Sequence, residues 1–340
     1  EPADAATLAQ RIIENLGRVF ETDGHQLVIG ASVGIALAPA DGESADALLK
    51  NADMAMYRAK SEGRGAFRFF EPEMDARLQE RRRLELDLRR ALVAGEFELN
   101  YQPQLNVAED RISGCEALVR WRHPTRGMVM PGEFIALAED IGLIVPMGEW
   151  IIRQACSDAA RLPPGMKMAV NLSPAQFQSP NLVPTVVQAL AASGLEPERL
   201  ELEITESVLL DNSVANLRVL HELRAIGVRI CMDDFGTGYS SLSYLRSFPF
   251  DKIKIDRSFV ADLSQDKDAG AIVKAVAGLG HSLGMMTTAE GVETPEQLAA
   301  LRLEGCTEAQ GYLISRPVDC ETLLQIVERD VADYGLRKAG

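Results

Sequence analysis

Short apolar segments with strand character alternate with amphipathic stretches from about residue 97 onwards. Regular alternation of strand and helix patterns is typical of a parallel sheet covered by helices. The pattern predicts eight strands, at residues 98–105, 112–121, 167–171, 200–205, 229–233, 251–256, 285–289 and 308–314. Eight strands within about 240 residues have the size and period of a closed (β/α)8 barrel.

One connection departs from that period. Only about six residues, 106–111, separate the first two predicted strands, whereas a parallel crossover needs a dozen or more. We therefore expect the first strand to pair antiparallel with the second. The predicted fold class is α/β, a TIM-like barrel over residues 97–335 with an antiparallel first strand.

The segment before the barrel has a different pattern. Residues 1–70 predict helix, strand, helix and strand, with the strands at 27–38 and 67–70 and the second helix at 45–60. This is too short to bury an independent core, so we expect a partial α+β unit. Residues 71–96 are rich in charge and predict a linker helix.

Composition and charge narrow the class of protein. The net charge is 35 − 50 = −15, which argues against binding to a long nucleic-acid backbone. The five cysteines form no close pair, as expected of buried thiols in a reducing compartment. No apolar run is long enough to span a bilayer, and the first residues do not read as a signal peptide. We expect a cytoplasmic chain, alone or as part of a longer membrane-attached protein.

Polar residues close nearly every predicted strand, where barrel packing alone favours Val, Ile or Leu. They are Gln102, Glu116 with Arg120, Asn171, Glu203, Asp233 with Asp234, Lys254, Glu290 and Gln310. Burying five carboxylates together is unfavourable unless cations neutralise them. Because all the candidate ligands are oxygens, Mg²⁺ or Mn²⁺ is favoured over zinc. Two such ions would stabilise the attacking and leaving oxygens of a phosphoryl displacement.

Two helix starts place these residues on one rim. Ser173 and Thr294 each begin a capping-box pattern with proline at the first helical position. The boxes put Asn171 at a strand end, and Glu290 and Glu293 in a loop between strand and helix. Catalytic residues of such barrels lie on that rim.

Several candidates have a structural alternative. Lys254 faces acids and keeps its proton, so it would orient the attacking water or stabilise phosphate charge, or else form a plain ion pair. Arg120 suits a phosphate contact, but a surface arginine beside a tryptophan also fits. Gln102 and Gln310 could hydrogen-bond a base edge or satisfy backbone. Glu206 is a candidate to hold the glycine-rich loop 236–247 rather than a metal.

At these positions the chain resembles the EAL-domain family of bacterial cyclic di-GMP phosphodiesterases, over roughly residues 80–335. An ordered set of motifs carries the resemblance: Tyr-Gln-Pro at 101–103, Glu116-Ala117-Leu118, Asn171-Leu-Ser, Glu203-Ile-Thr-Glu206, Asp233-Asp-Phe-Gly-Thr-Gly, Lys254-Ile-Asp256, Ala289-Glu-Gly-Val-Glu293 and Gln310-Gly-Tyr. No catalytic position departs from the family pattern, which favours an active enzyme.

The resemblance implies a role for each matched residue. One ion would be held by Glu116, Asn171, Glu203 and Asp233, and the second by Asp233 and Asp234 with Glu290 nearby. Lys254 and Glu290 would be the catalytic residues, with Lys254 assisting the bridging water. The dinucleotide would contact Gln102, Leu118, Arg120, Asp256, Glu293 and Gln310. The family also implies a homodimer formed through the loop after Asp234. We expect Ca²⁺ to inhibit, because it is larger and less demanding in coordination geometry.

Residues 1–70 resemble the C-terminal half of a GGDEF (diguanylate cyclase-type) domain. The matching stretches are Ala31-Ser-Val-Gly-Ile and Ala52-Asp-Met-Ala-Met-Tyr-Arg-Ala-Lys-Ser. The Gly-Gly-Asp/Glu-Glu-Phe signature is absent from these 340 residues. This chain is therefore not expected to make cyclic di-GMP.

The predicted activity is hydrolysis of cyclic di-GMP to linear pGpG. One alternative is a binding module that senses the dinucleotide and relays it through the helix Glu71–Glu96. Another, judged without the family, is a different Mg²⁺ barrel enzyme, such as one that stabilises an enolate. Such sites usually pair the metal with a Lys or His base.

Overall fold

The computed structural model describes residues 2–22, 25–206, 208, 213–236, 248–261, 263 and 267–339. The chain divides into two compact units, Glu1–Asp87 and Leu88–Gly340. A single helix, Pro72–Ala94, crosses this division. The boundaries expected at residues 70 and 96 therefore stay predictions.

The first unit follows the predicted order of elements with two corrections, one of them an unpredicted strand at Val19–Thr22. Its elements are α1 (Pro2–Leu16), β1 (Val19–Thr22), β2 (His25–Val28), β3 (Val33–Ile35), α2 (Ala45–Ser61), β4 (Phe67–Phe69) and the start of α3 (Pro72–Ala94). The single strand predicted at 27–38 is wrong, because β2 pairs antiparallel with β1 whereas β3 pairs parallel with β4. Met54, Ala55 and Met74 form a small buried core in this unit.

The second unit is a closed barrel, as predicted. Its strands are β5 (Phe97–Asn106), β6 (Arg111–His123), β7 (Gly127–Val129), β8 (Lys167–Leu172), β9 (Leu200–Thr205), β10 (Arg229–Phe235), β11 (Lys252–Ile255), β12 (Met286–Ala289) and β13 (Glu308–Gln310). Around the barrel the order is β5, β13, β12, β11, β10, β9, β8, β6, and pairing of β5 with β6 closes it. The first strand, β5, is antiparallel to both neighbours, and the other pairings in the ring are parallel.

Helices connect the barrel strands. Those described are α4 (Pro131–Asp140), α5 (Ile144–Ala159), α6 (Pro174–Phe177), α7 (Leu182–Ser193), α8 (Ser213–Ile226), α9 (Arg257–Ala261), α10 (Lys267–Leu283), α11 (Pro295–Leu303) and α12 (Cys320–Ala339), with a 3-10 turn at Pro197–Arg199. Both predicted capping boxes are present, at Ser173 before α6 and at Thr294 before α11. In the part of the chain that the structure describes, no helix has both the length and the apolar character needed to cross a membrane.

Two strand predictions differ from the structure. The strand β7 was not predicted; it folds back antiparallel on the end of β6 as a short hairpin. The last barrel strand ends at Gln310 rather than at residue 314. A Cβ added at Gly311 would lie 2.1 Å from the Val292 backbone oxygen, and Ile314 donates its N–H to the Gly311 carbonyl. The close approach and the turn together end the strand.

Polar residues fill the barrel interior in two layers, because side chains two apart on a strand face the same side. We call Gln104, Lys167, Glu201, Lys252 and Glu308 the lower layer. Lys252 Nζ lies 2.5 Å from a carboxylate oxygen of Glu201 and 2.5 Å from one of Glu308. Lys167 Nζ lies 3.4 Å and 3.8 Å from the same two side chains. Two lysines thus balance two carboxylates.

Opposite charges keep Glu308 and Lys252 ionised despite their burial. Lys252 and Glu201 are each 1% exposed, and Glu308 is fully buried. Although burial opposes ionisation of Glu308, Lys252 and Lys167 hold the pKa of its carboxyl down to about 2. Removal of one partner would leave a buried charge without its counterion, which is more costly than removal of a surface ion pair.

Replacing Lys252 with methionine (Lys252→Met) tests that balance. We expect the free energy of unfolding, measured with urea, to fall by about 3–5 kcal/mol, because Glu201 and Glu308 lose the cation between them. Lys274→Met is the matched control, since Lys274 is 74% exposed and its Nζ lies 3.7 Å from Glu304. Equal stability losses in the two variants would contradict the assignment.

Candidate active site

The upper layer of the barrel is a cluster of charged side chains around one lysine. Lys254 Nζ lies 2.5 Å from Glu290, 2.8 Å from Glu203, 3.2 Å from Asp233 and 3.7 Å from Glu116. The lysine is 1% exposed. We call these five residues, together with Gln310, the upper layer. The strands β6, β9, β10 and β11 and the loop after β12 supply the five charged groups, so barrel closure brings together residues far apart in sequence.

Charge in this layer is not balanced. One lysine faces four carboxylates, so the formal charge is +1 − 4 = −3 when all five groups are ionised. The lower layer, by comparison, is neutral. Burying like charges together is unfavourable, so the upper layer gains stability from added positive charge.

The pKa values of the upper-layer groups reflect this excess of negative charge. Burial raises the pKa of Glu203 well above its usual range against the opposing effect of Lys254, and the charges of Glu116 and Asp233 raise it further. Burial also raises the pKa of Glu290 to about 7, although Lys254 opposes the shift. Burial acts against the Lys254 cation, but the surrounding carboxylates raise its pKa well above normal. Lys254 is therefore a stable cation and Glu290 a carboxyl that exchanges a proton near neutral pH.

Two amides fix the Glu116 carboxylate. Asn171 Nδ2 donates to Glu116 Oε1 at 2.6 Å, and Gln310 Nε2 donates to Glu116 Oε2 at 2.6 Å. Gln310 Nε2 also reaches Gln102 Oε1 at 3.1 Å, and Gln102 Nε2 donates to the carbonyl of Ser315. Although burial opposes ionisation, Lys254 and these amides hold the pKa of Glu116 below its usual range.

The oxygen donors suit a hard divalent cation. They are carboxylates and an asparagine amide, which are ligands typical of Mg²⁺ and Mn²⁺. Glu203 Oε1 is buried and has no hydrogen-bond partner among the described residues, so this oxygen has a lone pair to offer an ion. As they stand, no three acidic, His or Cys side chains of the described residues converge in a metal-binding group, since the acids instead surround Lys254.

The two adjacent aspartates occupy different environments. Asp234 has φ = 54°, a left-handed conformation uncommon outside glycine, and the β10–β11 register shifts between Met232 and Phe235. Its N–H donates to Asp233 Oδ1 at 2.9 Å. The irregularity leaves Asp233 facing Lys254 and Asp234 exposed. Burial of part of its carboxyl raises the pKa of Asp234, and the charges of Asp233 and Asp256 add to this effect.

A cavity of about 310 Å³ opens beside the upper layer. Eight residues predicted from sequence line it, and they are Gln102, Glu116, Leu118, Asp233, Lys254, Glu290, Glu293 and Gln310. Four lining residues were not predicted: Arg257, Gly291, Gly311 and Tyr312. Gly291, Gly311 and Tyr312 belong to the quoted motifs, and Arg257 directly follows the motif residue Asp256, so membership of or adjacency to the rim motifs was the available signal.

Other predicted residues lie outside this lining. Arg120 is buried and donates to the carbonyl of Val119 at 2.9 Å. Asp256 accepts from the Ser258 N–H at 3.0 Å at the start of α9. Glu206 Oε1 accepts from the Gly236 N–H at 3.3 Å. This contact is at the near end of the predicted loop 236–247, of which residues 237–247 lie outside the described residues.

The variant Glu203→Gln separates the effect of this carboxylate on charge repulsion from its effect on metal binding. In chelator, we expect Glu203→Gln to unfold at the same temperature as wild type or higher, because the raised pKa already favours a neutral carboxyl. With Mn²⁺ at 100 times the wild-type Kd, the free energy of unfolding of wild type should rise by about 2.7 kcal/mol. A variant that binds Mn²⁺ tenfold more weakly should gain about 1.4 kcal/mol. Thermal unfolding with and without Mn²⁺ measures both. Glu222→Gln, on the exposed part of α8, should respond like wild type.

Comparisons with known proteins give the same regions independently. A family model described as EAL domain matches residues 85–317, and one described as diguanylate cyclase, GGDEF domain matches residues 1–66. An uncharacterized signaling protein of Caulobacter vibrioides is 53% identical, with 95% of this chain and 40% of that protein covered. The bifunctional diguanylate cyclase/cyclic di-GMP phosphodiesterase MucR of Pseudomonas aeruginosa is 45% identical, with 96% and 48% covered. The chain thus spans less than half the length of these relatives.

Solved structures show the same barrel. The PaMucR phosphodiesterase in complex with c-di-GMP is 44% identical, with a TM-score of 0.68 over 71% of this chain and 100% of that chain. The EAL enzyme Bd1971, bound to cAMP and cyclic-di-GMP, is 32% identical, with a TM-score of 0.71 over 85% and 77%.

Proposed function

The chain belongs to the EAL domain family, and on this premise we propose that it is a metal-dependent phosphodiesterase that hydrolyses cyclic di-GMP to linear pGpG. Two divalent ions, Mg²⁺ or Mn²⁺, would supply the activated water for this reaction. The relatives named above include a cyclic di-GMP phosphodiesterase and a structure that contains c-di-GMP. Their similarity supports the substrate class.

The observation that carries the proposal is the charge excess of the upper layer. Four carboxylates surround one lysine at 2.5–3.7 Å, and one buried carboxylate oxygen of Glu203 has no hydrogen-bond partner in the described part of the chain. Divalent ions would offset that excess, with Glu116, Asn171, Glu203 and Asp233 holding one ion and Asp233, Asp234 and Glu290 serving the second. Bound there, the ions would lower the pKa of water and stabilise charge on the phosphate.

The chain's own groups supply the remaining chemistry. Lys254 stays protonated, so it acts as a donor that orients the attacking water and stabilises phosphate charge. Glu290, the second proposed catalytic residue, lies 2.5 Å from Lys254 and holds its ammonium group in place. Both line the cavity.

The cavity beside the cluster is the proposed dinucleotide site. Gln102, Leu118, Glu293 and Gln310 line it, and we assign them to substrate contacts. Arg120 and Asp256 are proposed to join them at its margin when the dinucleotide binds. Arg257 is an exposed cation on the cavity wall, where it can attract a phosphate.

Two further proposals rest on the family resemblance. We propose a cytoplasmic location and a homodimer formed through the loop after Asp234, whose residues 237–247 lie outside the described part of the chain. Sedimentation velocity over a concentration series should show a dimer. A monomer at every concentration would contradict the dimer without affecting the hydrolase assignment.

Glu116→Ala tests the activity directly. Purified protein with Mg²⁺ or Mn²⁺ should convert cyclic di-GMP to pGpG, as followed by chromatography and phosphorus NMR, and Ca²⁺ should inhibit. The variant should lose turnover, since it removes a proposed metal ligand and the acceptor of two amide hydrogen bonds. Glu109→Ala, an exposed Glu→Ala change on the β5–β6 turn, is the matched control.

Each contrary result has a distinct meaning. Full activity in Glu116→Ala would refute the site. Tight dinucleotide binding without turnover under either metal would instead identify a sensing module. A product other than pGpG, detected by its phosphorus spectrum, would point to different chemistry in the same barrel.

A further inference from the structure

Two glutamine amides join the lower layer to the upper layer. The β5–β13 register sets Gln104 directly opposite Gln310. Gln104 Nε2 donates to Gln310 Oε1 at 3.0 Å, and Gln310 Nε2 donates to Glu116 Oε2 at 2.6 Å. Gln104 is fully buried and Gln310 is 3% exposed. A chain of two buried amides therefore ends on a carboxylate of the site.

Lys252 of the lower layer determines which way the two amides point. An amide has one donor end and one acceptor end, whereas an ammonium group can only donate. Lys252 Nζ lies 3.5 Å from Gln104 Oε1; this is long for a hydrogen bond, but the positive charge still favours the oxygen end of the amide. With its oxygen toward Lys252, Gln104 presents its NH2 group to Gln310. Gln310 then accepts from Gln104 and directs its own NH2 group at Glu116.

Lys252 is itself held rigidly. Glu201 and Glu308 each lie 2.5 Å from its ammonium group, and all three side chains are at most 1% exposed. The lower layer reaches charge balance with two lysines and two carboxylates, so Gln104 is not needed to neutralise it. A buried amide at this position is costly unless its hydrogen bonds are made, and those bonds lead to the active site.

We propose that Gln104 is a positioning residue for metal binding. Supported by Lys252, it keeps the Gln310 amide turned so that Nε2 donates to Glu116, and so holds that carboxylate ready for a divalent cation. If the Gln310 amide were reversed, its carbonyl oxygen would face the Glu116 carboxylate and repel it. The inference rests on the proposed function, because it assigns Glu116 to an ion.

The variant Gln104→Glu removes the donor and keeps the shape of the side chain. Its carboxylate faces Lys252 and cannot donate to Gln310 Oε1. Since loss of a group that orients a ligand costs about 10–100-fold in metal affinity, we expect Mn²⁺ binding to weaken by at least about tenfold. Electron paramagnetic resonance of free Mn²⁺ measures binding without reference to turnover. Activity on the dinucleotide should recover as Mn²⁺ is raised, because metal affinity is what the variant loses.

Two further variants complete the test. Gln104→Leu removes the donor without adding charge and should weaken Mn²⁺ binding similarly. Ser113→Ala is the control. Ser113 Oγ donates to Glu308 at 2.8 Å and to the backbone carbonyl of Gln104 at 3.4 Å, and not to the side-chain amide of Gln104 or Gln310. Its Mn²⁺ affinity should equal that of wild type. Thermal unfolding in chelator confirms that each variant is folded.

The outcomes separate this inference from the proposed function. Wild-type Mn²⁺ affinity in a folded Gln104→Glu or Gln104→Leu protein would overturn it. An equal loss in Ser113→Ala would also overturn it, since any disturbance of the lower layer would then suffice. A wild-type protein that binds Mn²⁺ but does not cleave the dinucleotide contradicts the proposed function only, whereas one that binds no Mn²⁺ contradicts both.

Discussion

The contact of one buried ammonium group with four carboxylates is the constraint on which this site depends. Lys254 gathers groups from three strands and a loop at 2.5–3.7 Å, and it cannot neutralise all of them. The excess negative charge raises the pKa of Glu203 and Glu290, whose burial is the larger cause. A site built in this way would be stabilised by added cations, because its one lysine does not balance its carboxylates.

The lower layer also places buried lysines against buried carboxylates, but there the opposite charges are equal in number. Lys252 and Lys167 match Glu201 and Glu308 one for one, so that layer is structural. Three strands, β9, β11 and β13, contribute to both layers through residues two apart. Alternation along a strand therefore places a balanced, rigid platform directly beneath an unbalanced, reactive one, and the amides of Gln104 and Gln310 connect them.

Local sequence signals predicted the barrel and most of its rim. The capping boxes at Ser173 and Thr294 and the short β5–β6 connection depend on neighbouring residues, and the structure confirms them. The sequence could not show that Lys252 sits between Glu201 and Glu308, because those partners are about fifty residues away in each direction and meet only when the barrel closes. The environment of Arg120 was hidden for the same reason: its burial and its bond to a backbone carbonyl depend on packing.

The reversed direction of β5 determines where the polypeptide enters the barrel. Phe97, the first residue of β5, pairs with Trp121 near the end of β6, whereas Gln102 pairs with Glu116. In an all-parallel barrel the first strand would be entered from the opposite mouth. Here the covalent path from the preceding helix reaches the catalytic mouth first, and Gln102 follows Phe97 by five positions. Only a few residues of a single strand therefore separate the end of that helix from Gln102 on the cavity wall.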